Sequence, residues 1–545
     1  MWRAVACAAA IVTLAGCESG GLTQGPRLAS DQTLHVQIGD QPASLDPGQT
    51  QYPFETAVLR AVSEPLLKPT PDLTGVVPAA AQSYQTNGDG TAYVFHLRPN
   101  AKYWDGTPVK AEDFVYAWQR LIDPRLASPD ETLFASVVLN GDRVSLLDPQ
   151  RDAASIDAAL ATLGLKALDD HTFQVQLARP DPAFVWLATL PAGGPIPQEV
   201  VAKNGDKWAT TAGTLVTNGP FKVSEMVNND HITVVRNSQY WGAKPTLTKI
   251  VFQIVHDGAA ALTKYKSGNL DVASVDLPQA GTVSSDSTLS RQLVKNPDLT
   301  VFWMTFRTDS PPLDNVKLRQ ALAEAIDRNA FVSQILAGEG LPASTFIPKG
   351  MHGHTPSLTT QKFDLTQARA SLAASGLKAN QVSLTLSYDQ SNDFKTKAAK
   401  FVRDQLVNNL HINVALQALD PNTLSSHKEN GDFQITGPDG WSADYADPAD
   451  WYDFFLTTSS YNTSLWQNQQ YDNFVTVART DTNPSRRDQE YLQAQTMLVD
   501  GAPVAFLAQT QSWYLVEPYV RGVVTSPLDE WPGALGPAQM WLSPH

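Results

Sequence analysis

The chain has 545 residues, 42% of them hydrophobic and 17% charged, and its 40 Lys and Arg against 55 Asp and Glu leave a formal net charge of −15. That acidity excludes nucleic acid and an anionic membrane surface as principal partners, since both require a basic face. The length exceeds what one hydrophobic core organises, which implies two or three domains, and no segment after the N-terminus is apolar for long enough to span a bilayer as a helix.

Arg3 precedes the apolar run Ala4 to Leu14, too short for a membrane span, and Leu14-Ala15-Gly16-Cys17 follows at once. This segment resembles the bacterial lipoprotein signal. The resemblance implies that residues 1–16 are removed as a signal peptide, that Cys17 becomes the first mature residue with a diacylglycerol on its thiol, and that the polar, Gly-rich stretch 17–30 is a tether. Lipid would hold the protein at a membrane while leaving it in water. Cys7 would leave with the signal, so no intrachain disulfide and no Cys-based metal site is expected.

Beyond the tether the pattern is mixed α/β. Thr33 to Gly39 alternates as a strand, Ser44-Leu45-Asp46-Pro47 is a turn, and Thr56 to Leu67 has apolar residues at helical spacing up to Pro69. Asn87-Gly88-Asp89-Gly90 reads as a hairpin turn before the strand Tyr93 to Leu97. Lys110-Ala111-Glu112-Asp113 opens a helix presenting Phe114, Val115, Trp118 and Leu121, stopped by Asp123-Pro124. Further strands are expected at His171 to Leu177, His231 to Arg236 and Val382 to Tyr388, with one long helix over Lys317 to Ala337. The amphipathic stretch Ala398 to Leu410 precedes a strand at Ile412 to Leu416, giving the second half its own strand-helix-strand unit.

Gly440-Trp441-Ser442-Ala443-Asp444-Tyr445 places one carboxylate among aromatic and small residues. Ring faces attract a cation, and a carboxylate between them is costly unless an ammonium or guanidinium pairs with it. A satisfied core corner would use the same residue types.

Tyr103 to Arg120, with its Tyr-Trp-Asp-Gly-Thr-Pro-Val-Lys-Ala-Glu-Asp-Phe core, resembles the signature region of the extracellular solute-binding proteins of peptide ABC importers (family 5), in the oligopeptide-binding branch. Leu215 to Phe221, Arg236-Asn237 with Tyr240-Trp241, Leu318 to Leu322 with Ala325 to Arg328, and Gly440 to Tyr445 are similar to further family blocks in family order, and the resemblance runs from about Asp31 to His545. It implies a periplasmic-binding-protein type II-like α/β fold with two lobes around a hinge and an extra inserted subdomain. On this chain lobe I would comprise 31–63, 188–305 and 505–545, with the subdomain at 64–187 inserted in it and lobe II at 306–504. The crossover strands would lie near Thr300 to Phe306 and Val504 to Gln509.

The same resemblance implies that an extended peptide lies between the lobes and is bonded as an added strand. Its α-ammonium would pair with Asp444, and the segment of Trp441, Ser442, Ala443 and Tyr445 would meet its backbone, with Gln51, Tyr52 and Pro53 facing it from the other lobe. Phe302, Trp303 and Phe306 are candidate pocket walls, although aromatics at strand spacing are more often core. The run Gln434 to Asp439 lacks the basic residues that oligopeptide-binding members use for a ligand carboxylate, which leaves Lys428 as the nearest candidate.

Catalysis finds little support. Asp444, Asp447, Asp450 and Asp453 recur every third residue, but a calcium loop would need Gly and Glu where Ala449 and Phe455 stand; solvated acids entering a helix at Pro448 account for the spacing. His352-Gly353-His354 lacks supporting ligands, and the Gly-x-Ser-x-Gly and phosphate-loop patterns are absent. The reading is therefore an exported, lipid-anchored, monomeric binding protein with no cofactor or metal and no nucleic-acid partner. It would sit in the periplasm, or at the surface of a single-membrane host, and deliver peptides to an ABC permease. A different cargo on the same fold (dipeptide, murein peptide, haem, sugar or metal chelate), a sensor, and at the margin a secreted hydrolase are the alternatives.

Overall fold

The structure is a computed structural model that describes residues 27–545 except Thr359. The chain forms two compact units. The first takes its described residues from the segments up to Pro71, Gly75–Ser274 and Tyr514–His545, and the second comprises Asp72–Thr74 and Val275–Trp513. Segments 275–305 and 505–513, expected in lobe I, cluster with the second unit; residues 293–305 and 505–513 lie in long strands of its sheet.

The first unit contains β1 (Thr33–Ile38), then β2 (Ala81–Thr86), β3 (Ala92–Leu97), β4 (Leu165–Asp169) and β5 (Thr172–Gln176), then β6 (Phe221–Val227), β7 (His231–Arg236), β8 (Lys249–Ile254) and β9 (Val272–Val275). The central order is β9-β1-β8-β7-β6, with β1 parallel to β8 from Thr33↔Lys249 to Ile38↔Ile254 and antiparallel ladders beyond. Strands β2 to β5 make a separate antiparallel sheet, β2-β3-β5-β4, inside segment 64–187. Helix α1 (Pro53–Val62) starts earlier than its apolar period suggests, because the Glu55 carboxylate accepts the Gln51 and Tyr52 N–H groups at 2.7 and 3.0 Å and Pro53 takes the first helical position. Leu67–Pro69, expected as the end of that helix, is a short strand paired with Val76–Pro78. Helix α2 (Ala111–Ile122) lays Phe114 and Trp118 against Phe173 of β5, with centroids 5.9 and 5.5 Å apart.

Residues of the Leu215 to Phe221 block pin the end of α1. Asn218, fully buried, accepts from the Glu64 N–H and donates to the Glu64 carbonyl, both at 2.9 Å. Gly219 packs so closely on Val62 that a Cβ would stand 2.3 Å from its carbonyl carbon. Asn237 donates to the Gly219 carbonyl and Tyr240 Oη to Glu64.

The second unit is built on β10 (Leu293–Phe306), β11 (Ser383–Asp389), β12 (Asn413–Leu419), β13 (Ile435–Ser442) and β14 (Val504–Val516), in the order β12-β11-β13-β10-β14. The expected long helix over Lys317 to Ala337 is two helices, α3 (Val316–Glu324) and α4 (Arg328–Ile335). Asp327 caps α4 by accepting the Ala330 N–H at 3.0 Å, and the buried Arg328 guanidinium donates to the carbonyls of Ala323, Ile326 and Ala343. Those contacts satisfy acceptors that the break sets free. Helix α5 (Asp393–Leu410) starts five residues before its apolar face does, because Asn392 accepts the Lys395 N–H. It crosses between the parallel strands β11 and β12, burying Ala398, Val402 and Leu406 in the core of this unit.

Candidate functional site

Strand β13 is paired on both sides only at its start. Its contacts with β11 are Leu386↔Ile435 and Ser387↔Thr436, whereas β10 pairs with it as far as Thr300↔Ser442. Among the described pairings, residues 437–442 therefore have a strand partner on one side only. Between Trp303↔Asp439 and Thr305↔Thr436, three steps of β13 oppose two of β10, so the strand carries one extra residue there. The far end is held by the Ala443 N–H donating to the Leu299 carbonyl at 2.8 Å and by the Ser442 and Thr300 hydroxyls at 2.7 Å.

A cleft of about 540 Å³ opens beside this strand. One wall is aromatic: Trp441, Phe454 and Tyr461 form a triangle with centroids 5.4 to 5.7 Å apart. Phe302 and Trp303 line the cleft from β10, and a Cβ at Gly440 would stand 2.6 Å from the Phe302 ring. Phe306, the third expected wall, is buried in the hydrophobic core beside Leu386 and Ile435 and does not line the cleft. Lys428 and Lys395 also line it. The Lys428 ammonium is paired with Asp439 at 2.5 Å, and the same carboxylate accepts the Thr305 hydroxyl, so a structural partner already accounts for this lysine.

Past Ser442 the chain turns into α6 (Ala449–Tyr452). Of the four aspartates at three-residue spacing, Asp447 and Asp450 are buried and Asp453 half-buried, and only Asp444 is the solvated acid that the spacing suggested. Asp447 is buried, forms a two-pronged ion pair with Arg487 of α8 (Pro484–Gly501), and caps α6 by accepting the Ala449 N–H at 2.9 Å. Asp453 is paired with Arg479 of α7 (Gln469–Thr480). Asp450, 9% exposed, accepts the Trp441 indole N–H at 3.3 Å and the Asp444 backbone N–H at 3.0 Å through one oxygen. Ion pairs and hydrogen bonds, not solvation, account for Asp447, Asp450 and Asp453.

Asp444 is exposed, and among the described residues no Lys, Arg or His lies within ion-pair distance of it. Loss of surrounding water raises its carboxyl to about 6. Asp450 is pushed well above the usual carboxylate range, first by burial and then by the charge of Asp444. Trp441 is half-buried on the cleft, Ser442 is exposed beside it, Ala443 is intermediate, and Tyr445 is buried. Gln51, Tyr52 and Pro53 lie in the first unit at the start of α1, with Tyr52 52% exposed and stacked on Phe54. Cys17 lies outside the described residues. Sequence reasoning missed Asp450, Phe454, Tyr461 and Lys395 as cleft-forming or cleft-adjacent residues; Tyr461 stands in a loop with no periodicity to single it out. His352 pairs with Asp488 and His354 Nδ1 lies 2.8 Å from the Ile347 carbonyl, and the described residues hold no group of three His, Cys, Asp or Glu suited to a metal. No described helix is long and apolar enough to cross a membrane.

A sheet edge left open beside an aromatic cleft, ending at a carboxylate without a cation, defines a protein that binds solutes. Residues 75–463 match the model of the bacterial extracellular solute-binding proteins, family 5, and the chain belongs to that family. It is 31% identical over 530 residues to the periplasmic oligopeptide-binding protein OppA of Salmonella typhimurium, covering 95% of each chain. It is also 31% identical over 523 residues to the periplasmic murein peptide-binding protein MppA of Escherichia coli, again over 95% of each. Among solved structures, the unliganded open form of the MppA murein tripeptide-binding protein superposes with a TM-score of 0.83 at 30% identity, covering 96% of this chain and 99% of that one. The family is one of solute-binding proteins, not of enzymes.

Proposed function

We propose that the protein is a lipid-anchored receptor that captures extended peptides and delivers them to an ABC transporter permease. One observation carries this reading: the open edge of β13 runs into Asp444, a carboxylate with no cation partner among the described residues. A peptide laid on that edge bonds through its backbone whatever its sequence. Its ammonium then pairs with Asp444, while Trp441, Phe454 and Tyr461 form an apolar wall for a side chain. The printed functions of the two curated relatives, oligopeptide and murein peptide binding, support peptide cargo. Lys428, already held by Asp439, is the proposed partner of a ligand carboxylate, with Lys395, itself paired with Asp389, beside it in the cleft. Export to the periplasm and the lipid on Cys17 belong to the same reading.

Calorimetry with free and N-acetylated forms of the same peptides tests it. Acetylation removes one partner of the ion pair, which for a desolvated pair costs about 2–5 kcal/mol, roughly 1.5 to 3.5 decades in affinity. Equal affinity for both forms refutes the role of Asp444. A murein tripeptide arm in the same experiment separates oligopeptide from cell-wall cargo, and Cys17→Ser should shift the protein out of the membrane fraction.

A further inference from the structure

The ladder between β10 and β13 decides which backbone groups the open edge offers. The Ala443 N–H donates to the Leu299 carbonyl, one step beyond Thr300↔Ser442, so Val301↔Trp441 and Trp303↔Asp439 are pairs that exchange main-chain bonds. Gly440 and Ser442 alternate with them and turn their N–H and C=O groups away from β10, toward the open side. Pro438 would come next in that series, but it has no N–H, and the extra residue of β13 falls beside it, so the regular edge ends there. A strand laid along this edge bonds to Ser442 and to Gly440, and the residue between those two contacts lies opposite Trp441. Side chains directly opposite share a face and successive ones alternate. The middle residue therefore points to the face of Trp441. Its neighbours point to the other face, where the Phe302 ring closes on Gly440 and lies 5.2 Å from Phe394 of α5.

We propose that the cleft selects peptides whose second residue is aromatic, that side chain seating against Trp441, Phe454 and Tyr461. The proposal rests on the reading of Asp444 as the ammonium partner, which sets direction and register. A ligand with its ammonium at Asp444 runs antiparallel to β13, with its first residue at Ser442, its second opposite Trp441 and its third at Gly440. The rings on the Trp441 face are held in place before any ligand arrives. Phe454 and Tyr461 stack at 22°, Trp441 stands edge-on to them at 66° and 61°, and Asp450 accepts its indole N–H. Trp303 supports Phe454 edge-on at 5.3 Å, yet Tyr461 remains 56% exposed. A large apolar side chain gains from burial there, and an aromatic one gains further from edge-to-face and offset contact with rings that need no ordering. The charged groups on this face favour neither sign, since Lys428 and Asp439 pair with each other and an acidic second side chain would have to compete with Asp439.

Calorimetry on the full chain with Phe-Ala-Ala, Ala-Phe-Ala and Ala-Ala-Phe, each against tri-alanine, tests the assignment. Ala-Phe-Ala should bind about ten- to a hundredfold more tightly than tri-alanine. Ala-Leu-Ala should bind about two- to tenfold more weakly than Ala-Phe-Ala, the part that ring contact adds to burial. Tyr461→Ala, a change at an exposed side chain, should shrink the ratio of the Ala-Phe-Ala and tri-alanine affinities about two- to tenfold. An equal gain from phenylalanine at the first or third residue overturns the proposal, as does Ala-Glu-Ala binding more tightly than Ala-Phe-Ala, or a ratio that Tyr461→Ala leaves unmoved. N-acetyl-Ala-Phe-Ala separates this failure from failure of the underlying reading. If acetylation weakens binding while the three isomers bind alike, the aromatic selection falls and Asp444 keeps its role. If acetylation has no effect, or no peptide binds, the ammonium reading falls and takes the register and the second-residue assignment with it.

Discussion

Removing the Asp447 carboxylate should loosen the loop that presents Asp444 and destabilise the second unit. Asp447 and Arg487 are 4% and 7% exposed, and each Asp447 oxygen faces one guanidinium nitrogen. Breaking a buried pair by removing one partner costs about 3–5 kcal/mol, because the survivor remains as an uncompensated charge. Arg487 keeps part of its coordination here, through the Ala478 carbonyl at 3.2 Å and the face of Tyr491 at 4.9 Å, so the lower end, about 3 kcal/mol, applies. Asp447→Ala also deletes the cap on Ala449, worth about 1 kcal/mol, for a total near 4 kcal/mol. Asp447→Asn keeps an oxygen for the cap and one hydrogen bond to the guanidinium, and should lose about half as much. The double variant Asp447→Ala with Arg487→Met leaves no buried charge, so it should be less destabilised than the two single losses added together. The two units need not unfold in one transition. Urea denaturation should therefore be followed by hydrogen exchange in peptides covering 441–500 rather than by a global probe. Asp447→Ala within about 1 kcal/mol of wild type, or a double variant as unstable as the sum of the singles, refutes the assignment.

Glu339 offers a pH test. Burial, reinforced by the charges of Asp276 and Asp298 against Lys295, raises its carboxyl to about 7, and one of its oxygens is buried without a hydrogen-bond partner. A carboxyl whose folded pKa exceeds its unfolded value makes the native state bind protons more tightly, so stability falls as pH rises from the usual glutamate range toward 7 and stays lower above it. Glu339→Gln should raise the urea midpoint at pH 8 and lose that advantage near pH 4; an equal effect at both values contradicts the reasoning. Gly440→Ala should push the Phe302 ring off β13, because the new Cβ would meet it at 2.6 Å, and so reshape the cleft. Peptide affinity should drop and the Phe302 aromatic resonances should move; unchanged resonances and affinity would mean that the ring is not seated on the glycine.

Where an element's identity follows from its own residues, it was legible before the structure. His231–Arg236 is a strand with the expected bounds, and the Asn87 to Gly90 turn joins β2 to β3 as a hairpin, because alternation and turn chemistry are local properties. Helix ends were less legible where a polar side chain decides them. Glu55 starts α1 and Asn392 starts α5 several residues ahead of the apolar period. The division of α3 from α4 was hidden for a tertiary reason: Arg328 reaches the carbonyls of Ala323 and Ala343, and nothing in a helical period announces a guanidinium that stabilises a break. In the site, the motif itself stood out, but Phe306 and Phe302 have the same residue type at strand spacing. Only the packing of Phe306 beside Leu386 and Ile435 in the core separates it from a cleft wall.

The four aspartates at 444, 447, 450 and 453 illustrate why residue type and spacing do not determine role. All four are short acids within ten residues, yet the availability of a cation sorts them. Asp447 and Asp453 meet arginines from α8 and α7 and become structural anchors of the turn. Asp450 meets only N–H donors, burial raises its carboxyl well above the usual range, and it fixes the Trp441 indole and the Asp444 backbone in place. Asp444 has neither an arginine nor full burial. The two ion pairs fix the loop on the helices beneath it, and that fixing holds the remaining carboxylate at the end of the open strand edge without supplying the positive charge it lacks. On the proposed reading a ligand ammonium supplies it, and the binding energy at this end of the cleft is greatest when the loop is already rigid, since little ordering remains to oppose the pairing. Asp447→Ala should for that reason reduce peptide affinity as well as stability, even though Asp447 makes no ligand contact, and the loss should appear mainly as a faster dissociation rate.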